Sequence, residues 1–224
     1  PTRRSSDLAA TTVVSCAPSK KEYTSYELYP VRTGSLTEMK YSPDATQFTL
    51  WSPTADEVRL MLYDAGDGGH AYETVVMSPA ENGTWTAKVE QDLKGKFYTF
   101  NVKIDGKWLG DTPGINAHAV GVNGKRAAII DMRETDPEGW EEDQRPPLAS
   151  PADVIIYEVH HRDFSVDPSS GIKNKGKFLA MTETGTVSPD KLATGIDHLK
   201  ELGVTHVHIL PSYVYASVDE TKLD

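Results

Sequence analysis

Apolar and polar residues alternate in short runs between residues 35 and 132, a pattern typical of β-strands that bury one face. Two runs are clear: Val58, Leu60 and Leu62 form one apolar face, and Tyr98, Phe100, Val102 and Ile104 form another. The dipeptides Asn82-Gly83 and Asp105-Gly106 are hairpin signals between such runs. Short strands at this spacing, with no helical period between them, predict an immunoglobulin-like β-sandwich of two sheets.

The pattern changes after residue 153. Residues 154–159 and 203–211 are nearly continuous apolar runs of strand length. Between them, Leu192, Ile196, Leu199 and Leu202 recur at helical spacing, which predicts a helix from about Asp190 to Leu202 that ends at Gly203. A strand, a helix and a second apolar strand predict a parallel crossover of a (β/α)-barrel or a doubly wound sheet. Two strands alone close neither fold.

A proline-rich segment separates these two patterns. Residues 133–152 contain Asp136-Pro137, Pro146-Pro147 and Pro151, together with a run of acidic residues. Proline cannot donate a backbone hydrogen bond, so this segment is a poor strand and a poor helix. We interpret it as a linker between two domains.

Several segments resemble a known family in the identity of their residues as well as in their apolar pattern. Residues 154–165, 171–177 and 194–207 resemble the opening of the catalytic barrel in type I pullulanases, glycoside hydrolases of family 13 in the α-amylase superfamily. Residues 48–60 and 121–124 look like the starch-binding module that precedes such barrels, carbohydrate-binding module family 48. The resemblance extends from about residue 25 to the end of the chain.

This resemblance implies a domain order and an activity. We expect a tail and tether over residues 1–34, a carbohydrate-binding β-sandwich over 35–132, a linker over 133–152, and the first two β/α units of a truncated (β/α)8 barrel over 153–224. The implied activity is hydrolysis of α-1,6-glucosidic bonds in pullulan, amylopectin and glycogen-derived oligosaccharides. The implied partners are an α-glucan polysaccharide and the remainder of the barrel. We expect no cofactor.

Glycoside hydrolysis requires two carboxyl groups on either side of the scissile bond. Glu158, Asp163 and Asp197 are candidates, and only Asp163 follows a strand end, where barrel active sites lie. The resemblance places the nucleophile and the acid after the fourth and fifth barrel strands, which this chain does not reach. We therefore assign no catalytic residue, expect the chain alone to be inactive, and expect Asp163 to pair with a residue such as Arg162 or to cap the loop.

Three residues are candidates for sugar contacts. Trp108 follows the Asp105-Gly106 turn and could offer its ring to a glucose face, whereas Trp51 and Trp85 lie within strands and are expected in the core. Glycogen-binding relatives of the module have a lysine seven residues before the tryptophan, and this chain has Asn101 there. That difference favours the alternative that the module is a packed scaffold. Tyr213 follows the second strand and either stacks on a sugar or packs in the core.

His160, His161, His206 and His208 invite a metal-binding hypothesis, because imidazoles on neighbouring parallel strands can converge. No carboxylate or cysteine completes a recognisable ligand set, so we predict no metal. A third hypothesis, an unrelated α/β enzyme with its own site at the turn from His160 to Asp163, requires activity from this chain alone.

The composition of the chain restricts the classes of binding partner. The formal net charge of −10 disfavours nucleic acid and anionic membrane surfaces, because phosphate binding needs clustered Lys and Arg. Cys16 is the one cysteine, so no internal disulfide can form.

The sequence before Cys16, Val13-Val14-Ser15, resembles a bacterial lipobox, whereas residues 1–8 look like a cloning scar. We predict lipidation of Cys16 and export, with a disordered tail as the alternative reading. A stand-alone, non-catalytic α-glucan-binding lipoprotein is the alternative function.

Overall fold

The computed structural model describes residues 23–210 and 218–222. These residues form two compact units. The first unit contains residues 23–136 together with 219–222, and the second contains residues 137–210 and 218. Two of the predicted site residues, Cys16 and Tyr213, lie outside the described residues, and their roles stay predictions.

The first unit consists of nine short strands joined by turns and 3-10 helical turns. The strands are β1 (Met39–Lys40), β2 (Thr46–Trp51), β3 (Glu57–Tyr63), β4 (Glu73–Val76), β5 (Ser78–Pro79), β6 (Thr84–Val89), β7 (Phe97–Ile104), β8 (Lys107–Trp108) and β9 (Ala127–Ala128). They form two antiparallel sheets. One has the order β1-β2-β6-β5, and the other has the order β4-β3-β7-β8 with β9 also paired to β7. The prediction of two antiparallel sheets is confirmed.

One hydrophobic core lies between the two sheets. Phe48 of β2 and Leu60 and Phe100 of the other sheet are fully buried in it. The Tyr98 ring lies 5.0 Å from the Phe48 ring and 5.4 Å from the Phe100 ring, both in edge-to-face geometry, which aromatic rings prefer over direct stacking. Since alternate residues of a strand face opposite sides, burial of Leu60 and Phe100 sends Arg59 and Asn101 to the outer surface.

Both predicted hairpin turns are present. Asn82 and Gly83 have positive φ angles of 54° and 73° and connect β5 to β6, and Asp105 and Gly106 have φ angles of 50° and 74° and connect β7 to β8. Two consecutive residues with positive φ give the turn a twist that matches the paired strands, and Asn, Asp and Gly tolerate that conformation best. The second turn places Trp108 opposite Lys103.

The second unit contains a parallel strand pair and one α-helix among the described residues. Strand β10 (Ile156–Val159) is parallel to β11 (His206–Ile209), and α1 (Gly195–Glu201) lies between them in sequence. The predicted parallel crossover is therefore present, although β10 begins later than expected. The further β/α units of a barrel stay a prediction. None of the helices in the described part of the chain is long and apolar enough to cross a membrane.

The helix prediction for residues 190–202 was wrong at its start. Helix α1 begins at Gly195, because Lys191 has a positive φ of 65° and Val187 pairs with Ala193 in a short β-bridge. Leu192, which fitted the helical spacing, is 68% exposed, whereas Leu199 is buried as predicted. Gly203, with a φ of 72°, ends the helix region as expected.

The segment between the units is irregular. Residues 133–152 contain a 3-10 turn at Trp140–Glu142, and a further turn begins at Pro151. The two units separate between Asp136 and Pro137, near the start of this segment. The exact bounds of the predicted linker remain a prediction.

Truncating the core tests the packing between the two sheets. We expect Leu60→Ala to lower the free energy of unfolding by about 2–5 kcal/mol, because it removes buried methyl groups and leaves a cavity. Val76→Ala on the exposed side of β4 is the matched control, with an expected change within about 0.5 kcal/mol. Urea unfolding of the two variants measures both values, and equal effects would contradict the described core.

Candidate functional site

The outer face of the five-stranded sheet carries the sequence-predicted site. Arg59 of β3 pairs with Asn101 of β7, and Lys103 of β7 pairs with Trp108 of β8. All four residues lie on the face opposite Leu60 and Phe100, as alternation requires. We call these four residues the Trp108 face.

Trp108 is half-buried and one of its ring faces is covered. The guanidinium carbon of Arg59 lies 3.9 Å from the centre of the indole ring, and Lys103 Nζ lies 5.6 Å from it. Glu57 Oε1 accepts a hydrogen bond from Arg59 Nε at 2.9 Å, which fixes the guanidinium in place. Cations favour the negative face of an aromatic ring. Trp108 is therefore not a bare platform, and a sugar ring has to use its remaining surface or displace Arg59.

Asn101 is engaged with another side chain. Its amide group donates a hydrogen bond to Asp111 Oδ1, and its own Oδ1 is buried without a hydrogen-bond partner among the described residues. Tyr63 OH donates to Asp111 Oδ2 at 3.2 Å and lies 3.0 Å from Thr99 Oγ1. Burial raises the pKa of Tyr63, so the phenol keeps its proton for the carboxylate. The Asn101 amide, on the same face as Trp108, is thus bonded to a side chain of the protein, Asp111.

An arginine lies over the ring of Tyr63. The Arg126 guanidinium lies 3.7 Å from the centre of the Tyr63 ring, and it donates to the carbonyl oxygens of Ala65 at 2.7 Å and Gly69 at 3.2 Å. These bonds hold the loop after β3 against the sheet. The outer face therefore combines one partly covered indole with cations and a side-chain amide, groups that can stack on a sugar ring and bind hydroxyls.

Three carboxylates of the second unit that were candidates for catalysis bond to neighbouring groups of the protein. Asp163 forms an ion pair with Arg162, with 3.1 Å between Oδ1 and Nε, which confirms the predicted pairing. Glu158 Oε2 lies 2.9 Å from His208 Nδ1 across the parallel strands. Asp197 Oδ2 accepts the backbone N–H of Gly185. These three carboxylates thus have structural partners.

The histidines considered for a metal site are also engaged in local contacts. His161 stacks on His160 at 4.9 Å and on Phe178 at 4.3 Å, with both ring pairs inclined by 17°. His160 Nδ1 accepts the backbone N–H of Arg162 at 3.1 Å, and His206 Nδ1 lies 2.9 Å from Thr205 Oγ1. In residues 23–210 and 218–222, no group of three or more metal-binding side chains is brought together.

Some contacts of the first unit were not predicted. The position of Arg59 on Trp108 depends on the pairing of β3 with β7, strands that are distant in sequence. Asn123 binds the later segment 219–222: its backbone N–H donates to Glu220 Oε2 at 2.6 Å, and its side-chain amide donates to Asp219 Oδ1 at 3.0 Å. Asn123 has a positive φ of 55°. The Asn-Gly dipeptide at this position signals a turn but not its partner.

Comparisons with known proteins agree on one family. Residues 37–115 match the family model of carbohydrate-binding module 48, described as the isoamylase N-terminal domain. A pullulanase of Bacillus subtilis (strain 168) is 37% identical over 182 residues, which are 81% of this chain and 24% of that protein. The crystal structure of apo pullulanase from Paenibacillus barengoltzii has a TM-score of 0.82 and 50% identity, covering 88% of this chain and 30% of that chain.

A second structure of the Paenibacillus barengoltzii pullulanase, in complex with maltohexaose and alpha-cyclodextrin, gives the same TM-score of 0.82, 50% identity and coverage of 88% and 30%. The chain spans less than a third of the length of these relatives. The matched 88% of this chain is longer than either unit alone, so the match includes residues of both units. These findings confirm the resemblance that the sequence predicted.

Removing Arg59 tests the covered state of Trp108. We expect Arg59→Ala to increase acrylamide quenching of tryptophan fluorescence, because it uncovers one indole face. Arg133→Ala removes an exposed arginine that pairs with Asp131 and is the control, with no expected change. The increase should disappear in a Trp108→Phe background, and an increase that persists there would show that another tryptophan is responsible.

Proposed function

The chain matches the N-terminal region of type I pullulanases and carries a carbohydrate-binding module 48 domain, and on this premise we propose that it is part of an enzyme that hydrolyses α-1,6-glucosidic bonds in α-glucans. The match to solved pullulanases across both units carries the proposal, since a binding module alone would match only the first. The substrates that we propose are pullulan, amylopectin and glycogen-derived oligosaccharides.

In this proposal the second unit is the first part of the catalytic barrel. Its parallel strands β10 and β11, with α1 between them in sequence, support this role, because a strand, a helix and a parallel strand are the repeating unit of a (β/α)8 barrel. Ile155 and Ile156 are more than half exposed, as expected of strands that further β/α units cover. The remainder of the barrel is therefore the partner that we propose for this unit.

The proposed reaction retains the configuration of the sugar and uses one carboxylate as nucleophile and one carboxylic acid as proton donor. By resemblance these groups follow later barrel strands. Glu158 and Asp163 are paired with His208 and Arg162, and we give them no catalytic role. The proposal also includes export of the protein with a lipid on Cys16, as the lipobox-like sequence suggests.

Because we propose that the catalytic groups follow later barrel strands, we expect the 224-residue chain alone to release no reducing ends from pullulan. The product of the source gene, read beyond the codon for Asp224, should release them if the frame continues through further strand–helix repeats. Release by the pure chain alone would overturn the assignment of chemistry to later strands. A stop codon directly after Asp224 would favour the non-catalytic glucan-binding lipoprotein.

Binding of glucan at the Trp108 face is the second test. We expect Trp108→Ala to weaken retardation of the chain in native gels that contain amylopectin, by about tenfold in apparent affinity, because a sugar-stacking surface is lost. Trp140→Ala removes an exposed tryptophan of the second unit and is the matched control. Equal retardation of both variants would mean that the Trp108 face is a scaffold.

A further inference from the structure

A groove in the first unit has features of a ligand site and lies away from the Trp108 face. Its volume is about 390 Å³, within the range of sites for small molecules. We call it the tyrosine groove, and its walls include Tyr26, Tyr29, Arg32, Trp51, Ile115 and Asn116. Trp51 ends β2 of the four-stranded sheet and is half-buried in this groove, not in the core as the sequence predicted, whereas Trp108 lies on the outer face of the five-stranded sheet.

Three aromatic rings follow one another along the groove. The Tyr26 and Tyr29 ring centres are 5.3 Å apart with their planes inclined by 60°, and the Tyr29 and Trp51 centres are 6.3 Å apart with an inclination of 58°. Trp51 Nε1 donates to the carbonyl oxygen of Asn82 at 3.0 Å, so the indole is fixed and its polar atom is satisfied. The rings therefore form a stepped surface and not a flat one.

Large apolar side chains around the groove remain open to solvent. Tyr26 is 73% exposed and Ile115 is 92% exposed. Apolar surface gains free energy when it leaves water, and here the first unit leaves it uncovered beside a concave wall. A cavity with apolar and aromatic walls and a few polar groups has the composition of a binding site.

The polar groups of the groove are fixed and balanced in charge. Arg32 Nη1 donates to the carbonyl oxygen of Ser35 at 2.9 Å. The backbone N–H of Asn116 donates to the buried carboxylate of Glu38 at 2.9 Å, which fixes the wall that contains Ile115. Glu27 supplies an acceptor, Arg32 a donor, and Asn116 both. One negative and one positive group suit a neutral ligand with many hydroxyls.

We propose that the tyrosine groove is a second binding site for a short segment of α-1,4-linked glucan, independent of the Trp108 face. A sugar ring has an apolar face for an aromatic ring and hydroxyls for the polar rim. Successive residues of an α-1,4 chain turn relative to one another, as do the stepped rings, whereas a β-1,4 chain is a flat ribbon. This inference rests on the proposed function for its ligand class and on the groove for its location.

Tyr26→Ala tests the site without disturbing the core, since Tyr26 is mostly exposed. The experiment titrates the full 224-residue chain with maltohexaose by isothermal calorimetry in a Trp108→Ala background, which leaves the tyrosine groove as the remaining proposed site. We expect Tyr26→Ala to lower the remaining affinity about fivefold to tenfold, the effect of losing one aromatic contact. Tyr72→Ala, at an exposed tyrosine outside the groove lining, is the matched control and should change nothing.

The outcomes separate this inference from the proposed function. Maltohexaose affinity that is unchanged by Tyr26→Ala would overturn the tyrosine groove while leaving the Trp108 face and the hydrolysis test untouched. Cellohexaose, a β-1,4 chain, should bind at least tenfold more weakly, and equal binding would overturn the selectivity for the α-linkage. A Trp108→Ala chain that binds no maltohexaose while Tyr26 is intact would also overturn the groove, whereas the proposed hydrolase is still tested by reducing-end release from the longer gene product.

Discussion

The structure of the first unit depends on the aromatic contact between its two sheets. Phe48 comes from one sheet, Tyr98 and Phe100 from the other, and their rings meet edge to face in the core. A shift of β7 by one residue would exchange Phe100 for Asn101 at this contact and bury an amide among rings. The core therefore fixes the register of β7 on β3, and with it the positions of Arg59 and Trp108 on the outer face.

The sequence predicted turns and buried positions better than it predicted which strands pair with each other. Alternation identified the buried residues of β3 and β7, and Asp105-Gly106 predicted the hairpin that positions Trp108. The contact of Arg59 with Trp108 was not predictable, because it depends on which strands pair across a long stretch of chain. Helical spacing failed at Leu192, since an apolar residue at the right interval does not reveal the positive φ of Lys191. Tyr213 and Cys16 lie outside the described residues, so their roles stay predictions.

The second unit is less buried than its sequence suggests. Strand β10 is apolar enough for a sheet covered on both faces, yet Ile156 is 64% exposed. The described residues stabilise the unit through local bonds instead. Glu183 accepts the backbone N–H groups of Lys173 and Asn174, both at 2.8 Å. Such bonds order a long loop without a large core, and the uncovered apolar strands fit the proposed role as the start of a larger domain.

A buried carboxylate links the core of the first unit to the tyrosine groove. Glu38 is 1% exposed, and one of its oxygens has no hydrogen-bond partner among the described residues. Together with burial, its charge raises the pKa of the nearby Tyr98. Burial of an incompletely bonded carboxylate costs free energy.

The Glu38 contact also constrains the loop that it binds. Gly114 has a φ of 90°, and a β-carbon there would collide with the Glu38 carboxylate, so the loop approaches this closely only as glycine. The result is a rigid wall that presents Ile115 to solvent. The wall thus combines a buried carboxylate that has one unbonded oxygen within the described part of the chain with an apolar side chain exposed to water, and neither feature is typical of a surface that serves only for packing. Departures of this kind are expected where a surface is kept for a ligand, which favours a binding role for the groove over a packing role.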